Sequence, residues 1–305
     1  MCVIVSELKK DKYSFSAFFS GYFNSFSKLL LVNLLFCIPL AIWVGGLFLL
    51  NGLLGELSIF LICMLIPLMS PFFGGLVYVC KKLSAGDTIR PFKDYFKGIK
   101  DNWLFFAVNS ILLYFVSVGL WVVYYFYRGF PQELSVTVYF AFSAVTALIF
   151  FLMDSSAIVM AVSVELKFTE IIRNSLLLIV KGFTNHLKTF VALLFVLCLC
   201  LSVMMTTGNA VVSLTIMGVL TAAVLPVLVT YIIVFNSYQT IERLVIMPYT
   251  TQQNDQHEKK EITLEELEKL IKGDPNEYVY LHGKMIKRSS AVKMYEVKKA
   301  SSEDA

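Results

Sequence analysis

Long stretches of about twenty residues run almost free of charge, and they constrain this chain more than any motif. Six can be read: Leu29–Leu50, Leu57–Cys80, Trp103–Tyr127, Leu134–Met153, Leu187–Thr206 and Ala210–Asn236. A helix of about 20 residues rises about 30 Å, the thickness of a bilayer's hydrocarbon core. The 305 residues are 57% hydrophobic and only 16% charged. A soluble domain is about 45–50% apolar and about 25% charged. A soluble globular enzyme, a disordered chain and a secreted disulfide scaffold are therefore excluded, and a polytopic membrane protein is expected.

The charges gather between the stretches. The connections Asn51–Glu56, Arg128–Glu133 and Thr207–Asn209 are short. Lys81–Asn102 and Asp154–His186 are longer and basic. Of the 16 basic residues before Tyr249, 15 fall on one side of this threading and only Arg128 on the other. The positive-inside rule then predicts both long connections and both termini in the cytoplasm. Met1–Val5 is too short for the apolar part of a signal peptide, and Lys9, Lys10 and Asp11 follow it. The first span is expected to act as an uncleaved signal.

A threefold repeat is expected, each unit an interfacial amphipathic segment followed by two spans. The segments are Tyr13–Phe26, Ile89–Trp103 and Phe168–Leu187, with Gly21, Gly98 and Gly182 in register. In the second segment Phe92, Phe96, Ile99 and Trp103 share a helical face, and Lys93, Asp94, Lys97, Lys100 and Asp101 lie away from it. In the first, Phe15, Phe18, Phe19, Tyr22 and Phe26 form an aromatic stripe. Such segments suit the headgroup region, as elbows between spans. Alternatively, Phe92, Phe96, Lys97 and Trp103 form a coupling surface that docks a partner. Internal repeats are common in transport folds, but duplication alone does not imply transport.

The domain division is expected at 1–247, a membrane domain, and 248–305, a cytoplasmic linker and small α+β appendage. Residues 249–305 hold 10 basic and 11 acidic residues. Tyr249–His257 reads as a linker. Thr263–Lys272 reads as a helix with Thr263 and Glu266 as a capping box, ended by Gly273. Tyr278–Leu281 and Lys284–Lys287 read as a hairpin around His282-Gly283, and Val292–Val297 as a third strand.

No phosphate-binding loop, zinc-protease helix or serine-hydrolase elbow is present in the sequence. His186, His257 and His282 are far apart and outside the apolar stretches, without metal-ligand spacing. Cys37, Cys63, Cys80, Cys198 and Cys200 fall in or at the end of apolar stretches, where cysteine acts as a small hydrophobe. No cofactor and no nucleic-acid partner are expected. The candidate intramembrane polar sites are Asn33, Asn109, Asp154 and Asn236. An ionisable group inside a membrane is a functional candidate by default. Counting twenty residues from Leu134 nevertheless puts Asp154 at the inner interface, solvated beside Ser155 and Ser156. The asparagines are expected to bond between helices rather than hold a solute. Pro39, Pro67, Pro71 and Pro226 are expected to kink spans, and Gly74-Gly75 to permit close helix approach.

Several runs resemble the YesL-like family of bacterial membrane proteins. They are Val32-Asn33-Leu34-Leu35 followed by a proline; Pro67, Gly74, Tyr78, Leu83 and Gly86; Phe92–Asn102; Ile172–Leu178 with Leu187–Phe190; and Pro226 with Phe235–Tyr238 and Glu242. They spread over Val32–Glu242, and the tail beyond Pro248 lies outside the resemblance. The resemblance implies an integral protein of the cytoplasmic membrane of Gram-positive bacteria, associated with carbohydrate uptake, with no agreed catalytic or binding residues. Together these features lead to the expectation of a non-enzymatic accessory or regulatory protein. Its partners would be the lipid bilayer, ABC-type sugar transporter subunits or another membrane or cytoplasmic protein, and further copies of itself. The alternatives are a small transporter or channel for a polar solute, and a membrane enzyme using Asp154 in a polar cavity.

Overall fold

The computed structural model describes residues 13–54, 59–129, 134–164, 166–247, 267, 268, 270, 271, 273, 277–281 and 284–303. Two compact units divide the chain, Met1–Glu242 and Arg243–Ala305, a boundary five residues before the one expected at 247/248.

The described part of the first unit is helical throughout. Its helices are α1 (Phe15–Asn24), α2 (Phe26–Leu54), α3 (Ile59–Cys63), α4 (Leu65–Ala85), α5 (Pro91–Tyr127), α6 (Leu134–Ser163), α7 (Phe168–Lys181), α8 (Phe183–Thr206), α9 (Ala210–Ala223) and α10 (Leu225–Ile241). Five continuous helical stretches are long and apolar enough to cross a membrane, and α9 with α10 makes a sixth, bent by 51°.

Three boundaries differ from the sequence expectation. First, Pro91–Tyr127 is one helix of 37 residues, about 55 Å long. The second amphipathic segment is therefore the first turns of a span and not a separate elbow. Ser25 does break α1 from α2, and Gly182 breaks α7 from α8. At the corresponding Gly98 the helix runs on, and α4 packs so closely there that an added Cβ would lie 2.5 Å from Tyr78 Cβ. Second, α6 continues past Met153 to Ser163. Its last ten residues were expected as connection, yet they are among the most buried in the unit: Ser155, Ser156, Ala157, Ile158, Val159 and Met160 are nearly inaccessible. Third, His186 lies within the first turn of α8 and is buried, rather than outside a span.

Helices α4 and α5 form the most extensive contact. It is built on small residues. An added Cβ at Gly75 would lie 2.7 Å from the Tyr95 ring, and at Gly74 2.9 Å from that of Phe106. Close backbone approach through glycine is the usual way helices associate where lipid supplies no hydrophobic contrast. Gly86, at φ 88°, ends α4 in the left-handed region, with its N–H on Leu83 O and that of Asp87 on Lys82 O.

Helix α1 lies on α10 through aromatic rings. Phe18 stacks on Tyr231 at 4.7 Å between centroids and meets Phe235 edge-on at 5.3 Å. Tyr13 meets Phe235 at 5.5 Å and donates to Glu242. Burial first, and then that bond, raises the Tyr13 phenol above its ordinary range. The aromatic stripe of the first segment is thus divided: Phe18 and Tyr22 face α10, while Phe15, Phe19 and Phe26 remain exposed.

In the second unit, β1 (Tyr278–Leu281) pairs antiparallel with β2 (Lys284–Lys287), and α11 (Arg288–Glu303) follows. The strand expected at Val292–Val297 is helical instead. Ala291 and Tyr295, four residues apart, share a helical face that packs on Leu267, Leu270 and Ile271. Tyr249–His257, Thr263–Glu266 and His282-Gly283 lie outside the described residues.

Candidate functional site

The polar residues singled out in the sequence divide into structural bonds and one lined cavity. Asn33 is fully buried and belongs to the first kind. Its Nδ2 donates to Thr221 O at 2.8 Å and to Ala222 O at 2.7 Å, and its Oδ1 accepts from Val227 N at 3.0 Å. The bond pattern follows from the break between α9 and α10. Ala222 O would take the N–H of residue 226 in a continuous helix, and Pro226 has none. Val224, at φ −141° and ψ −46°, turns the chain out of register. Asn33 supplies the partners that the break removes, as backbone groups away from water require.

Asn236 bonds Ile232 O in its own helix at 3.1 Å; among the described residues it makes no bond to a second helix, and it does not line the cavity described below. Asn109 and Asp154 come together. Asn109 Nδ2 donates to Asp154 at 2.5 Å across α5 and α6. Asp154 is therefore not the freely solvated interfacial carboxylate expected from counting residues. It is half-buried, the two serines after it are buried, and the helix continues for nine residues beyond it.

Both side chains line a cavity of about 180 Å³ between α2, α4, α5 and α6. Phe36, Phe73 and Phe106 supply aromatic walls, and Ser70 and Ser110 add hydroxyls. Ser70 Oγ donates to Phe106 O at 2.7 Å, and Ser110 Oγ to Ala107 O at 2.8 Å. A hydroxyl that has given its proton to the backbone presents only lone pairs. The cavity is thus rich in acceptors: a carboxylate and two hydroxyl oxygens. Asn109 has directed one amide N–H at Asp154.

The proposed docking residues occupy the first turns of α5. Phe92, Phe96 and Trp103 are each slightly more than half exposed, and Lys97, also exposed, lies to one side of them with its Nζ 6.0 Å over the Tyr78 ring of α4. The opposite face is fixed. Asp94, expected on the solvated face, is buried; it accepts from Lys82 Nζ at 2.9 Å and from Arg90 N at 2.7 Å. Tyr95 and Gly98 beside it pack on α4.

A further set of polar contacts was not foreseen. Ser156 Oγ and His186 Nε2 lie 3.1 Å apart, both nearly inaccessible. Asn185 Nδ2 donates to Thr240 Oγ1 at 2.9 Å. These join α6 to α8 and α8 to α10. Each pair spans at least 30 residues of sequence, so no local pattern announces it.

The fold defines a class: a helical chain with five to six helices able to cross a membrane, consistent with a multi-pass membrane protein. Comparison of the chain with family models, with curated proteins and with solved structures gives no match in any of the three.

Proposed function

We propose that the chain is a multi-pass accessory or regulatory protein of the bacterial cytoplasmic membrane, YesL-like in kind, that acts on a carbohydrate-uptake system without catalysing a reaction of its own. In this reading the basic helix ends, both termini and the small C-terminal α+β unit face the cytoplasm. Three units of amphipathic segment plus two spans build the membrane domain. The observation that carries the reading is the start of α5. One face is clamped to α4 by the Lys82–Asp94 ion pair and the Gly75–Gly98 contact. The other presents Phe92, Phe96 and Trp103 on a rigid mount, with Lys97 at its flank, over the Tyr78 ring of α4 at 6.0 Å. A preorganised aromatic and cationic face loses little entropy on docking, and aromatic residues dominate interface energetics.

The test is co-purification of the intact protein with the membrane subunits of an ABC-type sugar transporter. Replacing Phe92, Phe96 and Trp103 together by alanine is expected to abolish it, whereas Phe142→Ala, at the far end of α6, leaves it intact. Equal recovery with both variants, or none with the native protein, contradicts the reading.

The cavity favours a second reading, a small transporter or channel for a polar solute. Flux of candidate sugars into liposomes tests it, with loss on Asp154→Asn and Asn109→Ala expected. Asn33→Ala does not serve here, because Asn33 holds the backbone break rather than the cavity.

A further inference from the structure

The cavity at Asp154 specifies the chemistry of its occupant. Among the described residues Asp154 makes one hydrogen bond, to Asn109, and no ion pair. Withdrawing a carboxylate even partly from water is costly unless its charge and lone pairs are met, and here, at half-buried Asp154, one of several acceptor sites is met by the protein. The surrounding polar atoms do not supply the rest. Ser70 and Ser110 have given their protons to the backbone, so they face the cavity as acceptors. An anion is therefore repelled. A neutral polyol brings no charge to answer the carboxylate. A multivalent metal ion wants several anionic or imidazole donors, and among the described residues no three such side chains gather.

The walls give the rest of the ligand. Phe36, Phe73 and Phe106 line the space together with Ile66 and Leu113. Aromatic faces attract cations as well as hydrocarbon. The volume of about 180 Å³ slightly exceeds that of an apolar cavity of about 150 Å³ that takes up benzene. The occupant is of that size.

We propose that this cavity binds a small primary alkylammonium ion, its NH3⁺ on Asp154 and its hydrocarbon against the three phenylalanines. The three N–H donors of such a head answer Asp154 and the hydroxyl oxygens of Ser70 and Ser110. The inference names a ligand class for the cavity of the second reading and shares that cavity with it, but it concerns occupancy and not movement across a membrane.

The experiment is calorimetric titration of the full-length protein in nanodiscs with n-butylammonium chloride and with 1-butanol, after subtraction of empty nanodiscs. The ammonium is expected to bind saturably and about tenfold or more tightly than the alcohol, the equivalent of about 1.4 kcal/mol. Asp154→Asn is expected to remove that preference. Leu113→Trp, which fills the cavity and keeps the carboxylate, is expected to abolish binding; it decides the matter if Asp154→Asn does not fold. Absent saturable binding, equal binding of the two probes, or a preference that survives Asp154→Asn overturns the proposal. Ammonium binding without liposome flux upholds the ligand class and removes the transport reading. Sugar flux without ammonium binding does the reverse.

Discussion

The two ends of the helical bundle are packed by different rules. At one end lie the starts of α2, α5 and α8 and the ends of α4, α6 and α10. Their side chains bury one another: Val32, Leu76, Val77, Tyr95, Phe106, Met160, Val227 and Tyr231 are nearly inaccessible. Polar contacts cross between helices there: Asn33 to α9 and α10, Lys82–Asp94, Asn109–Asp154, Ser156–His186 and Asn185–Thr240. At the other end, Ile42, Phe48, Leu53, Phe142, Phe195, Met205 and Leu214 point outward. The difference teaches that apolar character alone does not lock these helices together. Polar bonds and glycine contacts do, because a helix leaving lipid for a neighbour gains little by hydrophobicity.

The contrast can be broken from the locked end first. Asn33→Leu strips partners from Ala222 O and Val227 N and weakens those at Thr221 O, and it is expected to cost about 3 kcal/mol in reversible unfolding from bicelles. Gly98→Val forces Tyr78 and the α4 backbone aside and is expected to cost about 2 kcal/mol in the same assay. Asp94→Asn keeps an acceptor for Arg90 N while losing the charge opposite Lys82, for an expected loss of about 1 kcal/mol. Phe48→Ala, at the outward end, is expected to change stability by less than about 0.5 kcal/mol. A cost at Phe48 equal to that at Gly98 would erase the distinction between the ends.

Much of the helical layout was readable because an apolar stretch without charges has few alternatives. The bend before Pro226 was equally readable, since proline removes a backbone donor. Which groups Asn33 bonds was not, because its partners lie more than 180 residues away. Asp154 misled for a physical reason. Counting twenty residues from Leu134 ends the span at Met153 and leaves the apolar run Ala157–Val162 outside it, whereas the helix runs on to Ser163. Asp94 misled similarly: its place on a charged stripe hid a buried ion pair with a lysine twelve residues earlier. The glycines carried more information than their alignment suggested. Gly21, Gly98 and Gly182 differ in backbone role, yet an added Cβ at each would meet another helix, through Tyr231, Tyr78 and Thr240. The cavity was not readable, since its walls come from four helices and its acceptor bias arises from bonds that Ser70 and Ser110 make within the fold.

The central claim is that the locked, basic end of the bundle lies on the cytoplasmic side of a membrane. Lys97→Cys and Arg128→Cys, each in a cysteine-free background, probe it with a membrane-impermeant maleimide on intact cells. The account predicts that Arg128→Cys reacts at once and Lys97→Cys only after permeabilisation. Reaction of Lys97→Cys in intact cells would contradict it.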